Sequence, residues 1–292
     1  MPYLQLALEV DAACCPALEA ALEEWGALAV TYQDPGGAPV LEPAVGANPL
    51  WDRVRVVALF AEDAPLQAIE QSLRAALPER ESPVVQVEAL ADRCWERAWI
   101  DDFKPMRFGE RLWVCPTNIE PPQPEAVNLR LDPGLAFGTG THPTTGLCLN
   151  YLDRTPLAGA DVVDFGCGSG ILGVAALLLG AHHCYAIDND PQALQAAREN
   201  AQRNAVAERM SILAPERLPP LSADGVIANI LAGVLIELAP VLRRQVRDGG
   251  WIALSGILEA QAPDVSRVYG QWFELEAPQS RDGWVLLCGR KR

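Results

Sequence analysis

The chain has no lysine, arginine or histidine before Arg53, although eight carboxylates fall in that stretch: Glu9, Asp11, Glu19, Glu23, Glu24, Asp34, Glu42 and Asp52. A segment without cations has nothing to grip a phosphate backbone. The net charge of −15 over 292 residues extends the argument against nucleic acid as the main partner to the whole chain. Histidines are scarce, with only His142, His182 and His183, and no pair among the eight cysteines has C-x-x-C spacing, so no metal site is expected. The thiols are expected to be reduced and mostly buried, as in a cytoplasmic protein. No run of eighteen apolar residues occurs, so no membrane-spanning helix is expected, and Met1 to Val10 lacks the basic start and long apolar core of a signal peptide.

What is present is enough apolar material for real cores, at 50% hydrophobic and 21% charged residues, in a length that suits two domains. The charge is uneven: residues 1 to 103 carry 6 basic and 18 acidic side chains, against 17 and 20 over residues 104 to 292. The acidic front reads either as a recognition surface or as a solubilising face, and charge alone leaves both open.

In that front part, Tyr3 to Val10 alternates like a strand, and Leu18, Leu22 and Trp25 recur at helical spacing. Strands are expected at Ala27 to Tyr32, Val54 to Phe60 and Pro83 to Leu90, with a helix from Pro65 to Leu77. The order β-α-β-β-α-β predicts a ferredoxin-like α+β domain over residues 1–90. Residues 91–110 read as a connector, in which Trp95 and Trp99 share one face of a short helix that ends before Pro105. Residues 111–292 read as the second domain: from Leu157 onward strands and helices alternate, which predicts an α/β domain with a mostly parallel sheet and a terminal antiparallel hairpin of Trp272 to Ala277 with Gly283 to Cys288.

The most informative segment is Val162-Val163-Asp164-Phe165-Gly166-Cys167-Gly168-Ser169-Gly170, an apolar strand that empties into a glycine-rich turn opening a helix. Glycines let the backbone approach a ligand closely. Gly168 to Gly173 also satisfies the dinucleotide pattern G-x-G-x-x-G, but the glycine directly following the strand is Gly166, which gives D-x-G-x-G-x-G instead. Asp164 can accept from an ammonium or brace the loop through backbone N–H groups, and both roles stay open. Asp188, at the end of the next strand, suits a ribose diol, whereas Asp190 directly precedes Pro191 and reads as a helix N-cap. Asn229-Ile230-Leu231-Ala232 puts an amide at the carboxyl edge of the sheet, where it could accept from a substrate amine, or simply make a turn.

Taken together, the glycine loop, Asp188 and the Asn229 turn resemble a class I S-adenosylmethionine-dependent methyltransferase with a Rossmann-like domain. Leu131-Asp132-Pro133-Gly134-Leu135-Ala136-Phe137-Gly138-Thr139-Gly140-Thr141-His142-Pro143-Thr144-Thr145 is similar to the signature of bacterial methyltransferases that modify large-subunit ribosomal protein eleven. The likeness is strongest from Trp95 to Gly256, including Phe103 to Gly109. The resemblance implies S-adenosyl-L-methionine as cofactor, bound through Thr145, Gly166, Asp188 and Asn229, with Asn229 also catalytic and no metal.

It further implies methylation of lysine side chains and the amino terminus of that ribosomal protein. The expected partner is then this basic protein, with no direct nucleic acid and no membrane, and a monomer is the oligomeric state carried forward. Competing readings are a methyltransferase of another basic protein and a non-enzymatic S-adenosylmethionine-binding regulator. An adenine methyltransferase would need an aromatic ring where Ile230-Leu231 stands. A nicotinamide dehydrogenase would use the other glycine register.

Overall fold

Strict alternation decides the first sheet. In β1 (Tyr3–Asp11) Leu6, Leu8 and Val10 point to one face and are fully or almost fully buried, and in β3 (Arg53–Ala61) Val54, Val56, Ala58 and Phe60 do the same. The computed structural model describes residues 3–36, 50–78, 84–90, 104–132 and 140–292. Between β1 and β3 lie α1 (Cys15–Glu24) and β2 (Ala29–Gln33), and after β3 come α2 (Leu66–Ala76) and β4 (Gln86–Leu90). The sheet is antiparallel in the order β2-β3-β1-β4. Leu18, Leu22, Ile69 and Leu73 close the core from the two helices. This is the expected β-α-β-β-α-β arrangement.

The chain divides into two compact units, Met1–Trp95 and Glu96–Arg292. The connector helix expected around Trp95 and Trp99 lies outside the described residues. Met106–Phe108, inside the expected connector, is strand β5; it pairs antiparallel with β6 (Leu112–Cys115), which pairs in parallel with β7 (Val127–Arg130). This three-stranded sheet was not anticipated.

The rest of the second unit alternates as expected, with a helix at Ala262–Tyr269 and a short strand at Gln279–Arg281 that were not anticipated. In chain order come α3 (Pro143–Arg154), β8 (Asp161–Phe165), α4 (Ile171–Leu178), β9 (His183–Ile187), α5 (Pro191–Arg203), β10 (Met210–Leu213), β11 (Ala223–Asn229), α6 (Ala232–Gln245), β12 (Val246–Leu258), α7 (Ala262–Tyr269), β13 (Phe273–Leu275), β14 (Gln279–Arg281) and β15 (Trp284–Lys291). The sheet order is β10-β9-β8-β11-β12-β15-β13, with β14 also on β15. The first five are parallel, and β15 is antiparallel to β12.

Order reverses beside β8, so the carboxyl ends of β8, β9 and β11 open together at the switch point where α/β sheets take ligands. Apolar cores cover both faces, which explains why α4 is apolar all round and almost wholly buried. The expected antiparallel pairing near the end is that of β13 with β15, and the short β14 makes a tighter hairpin with β15, turning at Asp282-Gly283, both with positive φ as in a type I′ turn. The seven described cysteines are buried free thiols, and no group of metal-ligating side chains occurs among the described residues.

Candidate functional site

Gly166, Gly168 and Gly170 all take left-handed φ, +73°, +53° and +76°, so the loop leaving β8 turns back on itself without side chains. The amides of Gly166 and Cys167 both donate to the Ile187 carbonyl at the end of β9, at 2.8 and 2.9 Å. A Cβ on Gly166 would sit 2.2 Å from Ile230 Cγ2, which places the turn after β11 directly against the glycine loop.

Asp164 braces the helix that this loop opens. It is fully buried, its Oδ2 accepts from Gly173 N at 2.8 Å, and its Oδ1 has no partner among the described residues. Burial pushes its carboxyl up to about 7, against the lowering effect of the Gly173 bond, and the Asp188 charge adds a smaller rise. With no exposed surface it is not placed to touch a ligand.

Asp188 is half-buried at the end of β9. Its Oδ2 accepts from Gly168 N at 2.8 Å and its Oδ1 from Asp190 N at 3.0 Å. Each carboxylate oxygen accepts twice, so one acceptor direction per oxygen is left for a pair of hydroxyls. Asp190 instead accepts from Gln192 N at 2.9 Å ahead of Pro191, the expected N-cap of α5.

Asn229 ends β11, where it pairs in register with Ser255. Its Nδ2 donates to Thr145 Oγ1 at 3.4 Å, and its Oδ1 has no hydrogen-bond partner among the described residues. Thr145 is buried in the first turn of α3, which starts because His142 caps it and Pro143 presets φ. His142 Nδ1 lies 2.7 Å from Thr144 Oγ1, and its ring meets Trp284 edge-on with centroids 4.9 Å apart. Burial lowers its pKa, which suits a neutral capping ring. Residues 133–139 of the signature stretch lie outside the described residues.

Thr145, Gly166, Asp188 and Asn229 are thus at one sheet edge, with contacts linking Thr145 to Asn229, the Asn229 turn to Gly166, and Asp188 to the glycine loop. Sequence reasoning missed Asn200, whose Nδ2 donates to Ser169 O at 2.8 Å and ties the loop to α5. Its signal was a polar residue on the buried stripe of Ala193, Ala197 and Ala201. It also missed the packing of Ile230, which no local pattern announces.

The family model described as "Ribosomal protein L11 methyltransferase (PrmA)" matches residues 2–292. A ribosomal protein L11 methyltransferase of Alkalilimnicola ehrlichii is 52% identical over 297 residues, covering all of both chains, and one of Pseudomonas putida is 50% identical over 293 residues, again across all of both. A crystal structure of ribosomal protein L11 methylase from Lactobacillus delbrueckii subsp. bulgaricus is similar with a TM-score of 0.56 and 30% identity, over 65% of this chain and all of that one.

Proposed function

The chain belongs to the ribosomal protein L11 methyltransferase family, and from that premise we propose that it transfers methyl groups from S-adenosylmethionine to lysine side chains and the amino terminus of ribosomal protein L11. The observation that carries the reading is the meeting of a side-chain-free glycine loop, a diol-ready carboxylate and an amide with a spare acceptor at one sheet edge. These groups fit the cofactor. The Gly166 loop admits close backbone approach, Asp188 keeps two acceptor directions for the ribose, and Thr145 and Asn229 would help to hold the cofactor from the neighbouring strand and helix.

The bound cofactor supplies an electrophilic methyl on a positive sulfonium. The chain's own task is to present an amine lone pair in line with it. With its Nδ2 engaged by Thr145, Asn229 has Oδ1 free to accept one proton of the amine and fix its orientation. A lysine amine has an ordinary pKa of about 10.4, so removal from water beside a cation favours the neutral, reactive form. The described site holds no dedicated base, and proton loss to water suffices for this scheme.

The acidic first unit serves as the dock for the basic substrate, residues 91–110 join it to the catalytic unit, and the enzyme acts as a cytoplasmic monomer. No helix among the described residues is long and apolar enough to cross a membrane.

Intact mass spectrometry of purified ribosomal protein L11, incubated with this protein and S-adenosylmethionine, tests the reading. Mass gains in methyl-sized steps are expected, absent without cofactor. Asn229→Ala is expected to cut turnover by about a hundredfold, more than it weakens cofactor affinity. No gain with cofactor binding verified sinks the substrate assignment, and a loss confined to affinity sinks the orienting role of Asn229.

A further inference from the structure

We propose that Leu231 and Val234 form an apolar lip beside Asn229 that packs along the aliphatic stem of the target lysine and selects lysine side chains over amines that lack such a stem. This rests on the methyltransferase reading and adds a specificity determinant to it.

Seven large hydrophobic side chains are exposed among the described residues. Five of them, Trp25, Leu28, Leu50, Val84 and Val87, are in the first unit. The two in the second unit are Leu231 at 55% and Val234 at 40% exposure. They are three residues apart in sequence, Leu231 at the N-cap of α6 and Val234 in its first turn, just after Asn229. Scattered exposed apolar side chains need no explanation, but two only three residues apart, directly after Asn229, do.

Their direction is fixed by what precedes them. Asn229 is tied to Thr145, and Ile230 N donates to Ser255 O at 3.2 Å. Ile230 is held between two glycines: a Cβ on Gly166 would meet its Cγ2 at 2.2 Å, and one on Gly256 its carbonyl oxygen at 2.3 Å. With Ile230 turned inward, Leu231 is the first side chain released outward from the sheet edge.

Leu231 also breaks a local rule. It occupies the N-cap of α6, where Ser, Thr, Asp or Asn would bond the free amides, and it makes no side-chain cap. A residue that is exposed and forgoes capping contributes nothing evident to the isolated fold, which marks it as kept for a partner. A lysine carries four methylenes behind its amine. With the amine beside Asn229 Oδ1, that stem must lie along whatever borders the turn, and the exposed apolar side chains that follow Asn229 directly in the chain are Leu231 and Val234. An α-amine has no such stem.

The test uses the full-length protein, ribosomal protein L11 and Leu231→Ser, with methylation followed site by site by peptide mass spectrometry. Lysine kcat/KM is expected to fall about tenfold and the amino-terminal α-amine rate by less than about threefold, as for loss of one apolar contact in a pocket. Cofactor Kd should hold, and the melting temperature should hold or rise because serine caps α6. Leu231→Met should restore the lysine rate, and Val234→Ser should reproduce the lysine-selective loss.

Unchanged lysine rates overturn the lip, as do lysine and α-amine rates that fall together. A lip that instead seals a contact between two copies would change the mass in light scattering with both amines affected alike, which also overturns it. Absence of any methylation by the wild-type protein overturns the proposed function and the lip together. Wild-type activity with unaltered selectivity in Leu231→Ser overturns the lip alone.

Discussion

Asp164 shows how one side chain can link the helix that follows the glycine loop to pH. A carboxyl with no exposure, one backbone donor and one unpartnered oxygen is more easily held neutral than ionised, and its pKa accordingly rises from 3.8 to about 7, chiefly through desolvation. The sign of the stability effect follows. In the unfolded chain Asp164 ionises near pH 4, whereas the folded chain holds its proton until about pH 7, so its stabilising contribution is complete below about pH 4 and is lost as pH rises to about 7. Asp164→Asn cannot titrate. Between pH 5 and 7.5 the wild-type melting temperature should fall relative to that of Asp164→Asn by about 5 °C. Parallel curves for the two proteins would show that Asp164 ionises normally and that its burial is relieved in solution.

Elements differ in how plainly they announce themselves, and the three-stranded sheet is the instructive failure. Its strands β5, β6 and β7 have three or four residues each, too few to display alternation, and they persist because of a partner far away in sequence. Asp153 on α3, 5% exposed, accepts from Glu110 N at 2.7 Å and Arg111 N at 3.2 Å. Asn150 Oδ1 accepts from Gly109 N at 2.6 Å. Gly109 must be glycine there, since its φ is +63° and a Cβ would lie 2.2 Å from Asp153 Oδ2. The Arg111 side chain, half-exposed and 3.5 Å from the carboxylate, adds little by charge but also donates to the Asp153 carbonyl oxygen. Asp153→Ala should cost about 2 kcal/mol by leaving two amides unpaired, and should speed hydrogen exchange at Glu110 and Arg111. Unchanged urea stability and exchange would show that water replaces the carboxylate without loss. By contrast, β8 and its glycine loop were legible because an apolar run meets glycines that no regular element tolerates. Asp190 was legible because its proline follows directly. By contrast, α7 has only eight residues and three buried positions, too short a stripe to stand out despite Pro263 in its first turn, and the bond from Gly168 to Asp188 spans twenty residues that no local pattern connects.

At the scale of the whole molecule, charge is the property that most needs a function. Helix α1 carries Glu19, Glu23 and Glu24 with no basic residue in its last turn, so Glu23 and Glu24 sit at the end of the helix dipole that favours cations. Both are exposed. An arrangement retained against helix electrostatics, within a stretch that has no cation before Arg53, serves a partner better than it serves the fold. A basic ribosomal protein would be drawn to such a surface over distances comparable to the Debye length. Raising salt from about 50 to 300 mM should therefore raise the KM for ribosomal protein L11 by about fivefold, with kcat unchanged. Glu23→Gln with Glu24→Gln should weaken that salt dependence while leaving cofactor affinity intact and the melting temperature equal or higher. A KM indifferent to salt in both proteins would reduce the acidic front to a solubilising face and leave substrate capture to the catalytic unit.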